Sequence, residues 1–340
     1  MIRIGTKDDK EIWNKAVLDS NHGTIFHTWD WLKIIEEQGK GKLYPLMIYK
    51  GSQLTALYPL FIQKKGFVKV AFSPPPGSYL LYLGPVIPGY DDLKQHKKES
   101  VLMKIQDEVD KYLFSEIKCK YVRIRSAPGI LDARPFKWSG YDIEPVYTYR
   151  LDLKKGINCI WSEFDRKLRV SINHCIKEGV TVRDGDRYDL EYILDSLSRR
   201  YREQGYRPSD YMDYINELYN KFYPDNMKIF VACYNNQSVG GMISIIYEDL
   251  IYMWVGVPKS ELKGIYPNDL IQWELIKWAC GKGLNYFEEM DSGDDLRLVK
   301  FKSKFNPEIG IWYNAEKYAS NNYKIMKKAN EMYNQMYHYF

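Results

Sequence analysis

Two stretches of this chain share one pattern. Leu46–Ile62 (LMIYKGSQLTALYPLFI) and, about 185 residues further on, Phe230–Ile246 (FVACYNNQSVGGMISII) each read as an apolar strand ending in Tyr, a polar turn and a second apolar strand. The turns are Lys50-Gly51-Ser52 and Asn235-Asn236-Gln237, so each stretch carries the signature of a β-hairpin. The same sequel follows in both halves. Strand-like Val68–Phe72 and Leu250–Val257 lead to helical Leu102–Phe114 and Leu270–Cys280, and these to strand-like Tyr121–Ile124 and Tyr286–Glu289. A hairpin, a strand, a helix and a strand, met twice, predict a mixed α/β (α+β) chain of two tandem domains, each a mostly antiparallel mixed sheet flanked by helices. A length of 340 residues suits two cores. Turn formers and then an extended Tyr/Thr run at Trp138–Asp152 place the division at 1–150 and 151–340, with an amphipathic helix at Tyr318–Tyr337 expected to pack on the second half.

Composition removes several classes of protein. Hydrophobic residues at 45% and charged residues at 27% are those of a folding chain, not a disordered one. No apolar run reaches the roughly 20 residues that a membrane helix needs, and MIRIGTKDDKEIW is charged where a signal peptide is greasy, so a cytoplasmic protein without an integral membrane segment is expected. Five scattered cysteines without C-x-x-C, and five histidines without ligand spacing, argue against disulfides and against a bound metal. A net charge of +5 permits an anionic partner but is too diffuse for DNA. Thirty Tyr and nine Trp offer flat surfaces with a polar atom, which suit sugar, peptide or base contacts.

Two segments hold candidate sites. From Trp161 to Gly179 apolar residues recur at helical spacing, and Arg166, Arg169, Asn173 and Lys177 fall on the other side, either as a solvated face or as one that binds phosphate. Downstream, Lys263-Gly264 precedes Pro267-Asn268-Asp269, a helix start whose free N–H groups suit an anionic group. Lys263, Gly264 and Asn268 are the candidate cosubstrate contacts.

Pro267-Asn268-Asp269-Leu270, Trp273, Ile276, Gly283, Phe287, Asp291 and Phe301-Lys302 together resemble the FemAB/FemX group of the GNAT superfamily, related to a polysaccharide-linked acetyltransferase family. The similarity runs from Phe26 (FHTWDW) through Gly84-Pro85 and Arg166 to Phe305. It implies tandem GNAT domains, aminoacyl transfer, and a site containing Phe301 and Lys302. Three departures accompany it. The turn Ser260-Glu261-Leu262-Lys263-Gly264-Ile265-Tyr266 lacks the Arg/Gln-x-x-Gly-x-Gly/Ala that usually holds the pyrophosphate of coenzyme A. Arg125-Ser126-Ala127-Pro128 stands where FemX-type enzymes have Asp-Pro, and the length leaves no room for the long helical hairpin of the staphylococcal Fem proteins.

No Ser-His-Asp or Cys-His set can be assembled, so direct transfer without an acyl-enzyme is expected. Lys302, Asp291 and Tyr252 are the candidate catalytic residues, with Phe301, Arg166, Arg169, Asn173 and Trp254 as substrate contacts. The expected reaction passes an amino acid from aminoacyl-tRNA to an amine of a cell-envelope or peptidoglycan-like precursor, lipid- or nucleotide-linked. Two alternatives are an acetyl-CoA-dependent N-acetyltransferase acting on a sugar nucleotide, polysaccharide precursor or peptide, and a binding protein that keeps the double fold without catalysis. No tightly bound cofactor is expected in any of them.

Overall fold

The computed structural model describes residues 1–130, 132–203, 209–257, 262–291 and 295–327. Two contact units emerge, one of Met1–Val146 together with the chain from Ile311 on, the other of Tyr147–Gly310.

The first unit contains β1 (Ile2–Ile4), α1 (Lys10–Leu18), α2 (Trp29–Glu37), β2 (Lys42–Lys50), β3 (Gln53–Lys65), β4 (Val68–Ser73), α3 (Gln95–Asp110), β5 (Cys119–Arg125) and α4 (Arg134–Trp138). After β6 (Asp142–Asp152) the second unit follows with α5 (Ile157–Glu163), α6 (Arg166–Lys177), β7 (Thr181–Asp184), α7 (Arg187–Glu203), α8 (Ser209–Phe222), β8 (Met227–Tyr234), β9 (Gln237–Tyr247), β10 (Leu250–Gly256), α9 (Pro267–Gly281), β11 (Tyr286–Asp291) and α10 (Leu296–Lys302). Last comes β12 (Glu308–Tyr318).

The duplicated pattern is a duplicated sheet. In the first unit β1, β2, β3 and β4 pair antiparallel in turn, β4 pairs parallel with β5, and β5 pairs antiparallel with β12. The second repeats this sequence of pairings through β7, β8, β9, β10, β11 and β6. Each parallel pair needs a crossover, and α3 and α9 supply it. Neither sheet takes its last strand in chain order, since β12 completes the first and β6 the second.

Burial follows the strand period. In the first unit Ala71, Val122, Ile124 and Ala315 share a core with Leu102, Ile105 and Val109 of α3. In the second, Ile251, Met253, Phe287 and Leu151 pack with α9, which buries Leu270, Ile271, Trp273, Leu275, Ile276 and Ala279. α9 is buried nearly all round, which explains its continuous apolar run. Gly240 and Gly241 let helices approach both faces of β9. A Cβ on the first would stand 3.0 Å from Ile271 Cδ1 of α9, and one on the second 2.6 Å from Ile193 Cγ1 of α7.

The structure departs from the sequence expectation in three places. The single helix expected over 161–179 is two, because Phe164 is extended and the Asp165 carboxylate accepts the N–H groups of Lys167 (2.7 Å) and Leu168 (3.3 Å), an N-cap that contributes about 1 kcal/mol. α7 and α8 were not foreseen. The C-terminal stretch lies on the first unit: Tyr323 packs near Val70, Phe72 and Tyr121, and Lys327 Nζ sits 4.0 Å from the Tyr121 ring centre. That stretch is helical over 321–327, and the rest of the helix expected to Tyr337 lies outside the described residues. The first unit ends at Val146 and resumes at Ile311, whereas the sequence expectation was of halves 1–150 and 151–340. Among the described residues no helix is long and apolar enough to cross a membrane.

Candidate functional site

β10 and β11 run parallel but share only three rungs, Leu250–Tyr252 against Tyr286–Glu288, although β10 continues to Gly256 and β11 to Asp291. Beyond Tyr252 and Glu288 they part. Each is irregular at that place. β10 has a bulge between Met253 and Val255 against β9, and β11 shifts register between Glu288 and Asp291 against β6. Met290, within the second irregularity, has φ +58. Bulges re-aim side chains, and a non-glycine residue in the left-handed region is held there at a cost of order 1–3 kcal/mol, a combination that gathers at functional sites.

Alternation along β11 sends Glu288 and Glu289 to opposite faces, and both are fully buried. Glu288 is satisfied: it accepts from the Thr148 hydroxyl and from Arg150 Nε at 2.9 Å, and Tyr252 stands beside it on β10. Glu289 faces α9, where Gln272 Nε2 donates to its Oε1 at 2.8 Å. Glu289 Oε2 and Gln272 Oε1 are buried without a hydrogen-bond partner among the described residues. Lys302, the last residue of α10 and 6% exposed, donates from Nζ to the Glu289 backbone carbonyl oxygen at 2.6 Å. Burial pushes the Glu289 carboxyl up to about 8, against the opposing pull of the Lys302 charge and the Gln272 hydrogen bond. A buried carboxyl tuned toward neutral pH, with one oxygen unengaged and a buried ammonium beside it, is equipped to take up and return a proton.

Of the residues singled out from sequence, Lys302 is the one that enters this cluster. Tyr252 is buried on the face of Glu288, opposite Glu289. Trp254 is half-buried with its ring edge-on to Tyr214 of α8 at 6.4 Å. Asp291 ends β11, and its side chain lies outside the described residues. Phe301 is partly buried against Phe305 (5.8 Å) and beneath Lys304 (5.0 Å). Arg166 and Asn173 lie on the exposed side of α6. Arg169 turns back instead to the end of α5, donating to Ser162 O at 2.7 Å, where it caps carbonyls that a helix terminus leaves open. Lys263 and Gly264 are exposed, Gly264 with φ +79 and open space around its missing Cβ. Asn268 is drawn inward, donating to Val257 O at 3.1 Å.

Glu289, Gln272, Glu288, Thr148 and Arg150 were missed by the sequence reading. A signal was present: Glu288-Glu289 are adjacent acids inside an expected strand, whose alternation sends one of them to whichever face a flanking helix covers.

Residues 162–297 match the family described as Acetyltransferase (GNAT) domain. None of the curated proteins matches the sequence significantly. Among solved structures the chain is similar to FemX, with a TM-score of 0.69 at 12% identity over 92% of this chain and 96% of that one. It is also similar to L-PGS from Bacillus licheniformis (0.54, 16%, 94% of each chain) and to a tandem GNAT protein from the clavulanic acid biosynthesis pathway (0.53, 10%, 94% and 98%). The twice-built sheet with its parting parallel strands and the family match at 162–297 lead to one conclusion: the chain has the FemX-like tandem GNAT fold, carries a GNAT acetyltransferase domain, and is an acyltransferase.

Proposed function

We propose that this acyltransferase passes an amino acid from the ester of an aminoacyl-tRNA to an amine of a cell-envelope precursor, at the cluster of Glu289 and Lys302. The observation that carries the reading is the unengaged, buried Glu289 Oε2 beside Lys302, where β10 and β11 separate. As the amine nitrogen bonds to the ester carbonyl carbon, Glu289 takes the proton that nitrogen must lose. As the carbon–oxygen bond of the ester breaks, the same proton passes to the departing ribose hydroxyl. Lys302 lowers the energy of the negative charge on the carbonyl oxygen between these steps. No acyl-enzyme is needed.

The start of α9 supports an ester donor over coenzyme A. Asp269 stands in its first turn, 4% exposed, accepting from Ser171 Oγ at 2.7 Å and Lys304 Nζ at 2.9 Å. A carboxylate fixed there occupies the electrostatic position in which a helix terminus would hold a pyrophosphate. GNAT domains as a class use acetyl-CoA, so acetyl transfer is the second reading, favoured by the family match at 162–297. Thermal shift separates the two, since a ligand bound only by the native state raises the melting midpoint. A rise with 3′-aminoacyl-adenosine and none with acetyl-CoA is expected, and the reverse would move the assignment to acetyl transfer.

A further inference from the structure

We infer that one end of the first unit's sheet docks on an anionic lipid surface, with Phe67 as the inserted side chain and lysines on both sides of it. The placement begins in the sequence. No Asp or Glu occurs between Glu37 and Asp91, a run that contains Lys40, Lys42, Lys50, Lys64, Lys65 and Lys69. Register gathers four of these lysines at one end of the sheet. Lys42 lies opposite Ile62 where β2 begins, and Lys64 opposite Lys69 and Lys65 opposite Val68 where β3 turns into β4. β5 starts beside them, Cys119 pairing with Lys69, and adds Lys118 and Lys120.

Charge and shape both point outward from this end. Lys69 is half-buried and the other five lysines are exposed, and none of the six forms an ion pair with a described residue. Lys64 and Lys69 face each other across antiparallel strands, where like charges destabilise a sheet and an anion between them relieves the repulsion. At the apex of the same hairpin Gly66, with φ +61, makes the tight turn, and the space around its missing Cβ is open. Phe67 beside it is 109% exposed, a large apolar ring held clear of the protein. A ring on a convex apex suits insertion among lipid headgroups, whereas stacking on nucleic-acid bases calls for aromatics set along a groove. Apolar insertion alone, or lysines alone, give marginal membrane binding, and the two together are the combination that holds a protein on an anionic bilayer.

The test mixes the full chain with vesicles of phosphatidylcholine, alone or with about one-third phosphatidylserine, and reads the bound fraction by flotation. Expected is binding to the anionic vesicles, none to the neutral ones, and release as salt rises from about 0.05 to about 0.5 M. Each lysine near an anionic surface is worth about fivefold in affinity, so Lys64→Gln combined with Lys69→Gln should weaken binding roughly twentyfold. Relief of their mutual repulsion means that this double variant should melt no lower than the parent, which separates lost binding from lost fold. Lys64→Arg with Lys69→Arg keeps both charges and should bind as the parent does. Phe67→Ser, at a fully exposed position, should weaken binding at least about threefold and decides the matter where the lysine variant fails to fold. Failure to bind anionic vesicles, or an affinity unchanged in either the Lys→Gln or the Phe67 variant, overturns the inference, as does a single-stranded RNA oligomer bound in place of the vesicles. It stands apart from the transfer reading: vesicle binding is measured without donor or acceptor, and Lys302→Met should leave it unchanged.

Discussion

Replacing Glu289 with Gln is the most direct probe of the buried cluster. The carboxyl rises from an ordinary 4.5 to about 8 because burial disfavours its charge, so the folded chain holds this proton more tightly than the unfolded one. The sign follows from linkage: the associated stability is fully present below pH 4.5 and is lost as pH rises through about 8. At about 1.4 kcal/mol per pH unit, the loss amounts to as much as about 5 kcal/mol, with the Lys302 attraction already opposing the rise. Gln has the shape of the protonated acid, can still accept from Gln272, and never ionises. Glu289→Gln should therefore match the parent near pH 5 and exceed it in stability by several kcal/mol at pH 9, while transfer activity falls sharply. Urea unfolding at a series of pH values measures the first, with hydrogen exchange of the β11 amides assigning the change to the second unit. Parallel stability profiles for parent and variant between pH 5 and 9 would falsify the account of Glu289 as a buried carboxyl held near neutrality.

Lys302→Met keeps the aliphatic stem and removes the charge, so it should lower the transfer rate about a hundredfold, measured in single-turnover assays. Arg169→Ala frees the end of α5 and should cost about 1 kcal/mol in urea unfolding, with KM for the acceptor unchanged because this guanidinium is engaged with Ser162 O. In the first unit His22 and His27 are buried and held neutral, their pKa values depressed to about 4 and about 3 by desolvation. The unfolded chain protonates them from about pH 6.5 downward, so the first unit should lose stability as pH falls from 6.5 toward 4, and His27→Gln should flatten that loss in the same urea series.

The repeated hairpin was legible because it is local: alternating apolar residues and a polar turn within one short stretch report on their own geometry. The crossover helices were legible for the same reason. The exchange of last strands was not, since nothing within Asp142–Asp152 or Glu308–Tyr318 records which distant strand it will pair with. The break before α6 was written in Asp165, but the apolar stripe runs on across it and masks the cap. At the site, Lys302 came from a resemblance in its neighbourhood, not from any chemistry visible in Phe301-Lys302 alone. Glu289 was hidden differently. Its significance depends on Gln272 and Lys302, which lie 17 and 13 residues away and converge only once α9 has crossed over the sheet.

The exchanged strands also bear on the order of assembly. A ribosome that has released residue 310 has delivered every strand of the second unit, while the first, though begun earlier, still lacks β12 beside β5. Until then the edge of β5 over Tyr121–Arg125 presents unpaired backbone groups, as open sheet edges do. The half of the chain made first is the half whose sheet is finished last, and a fragment cut at 150 would keep that edge bare.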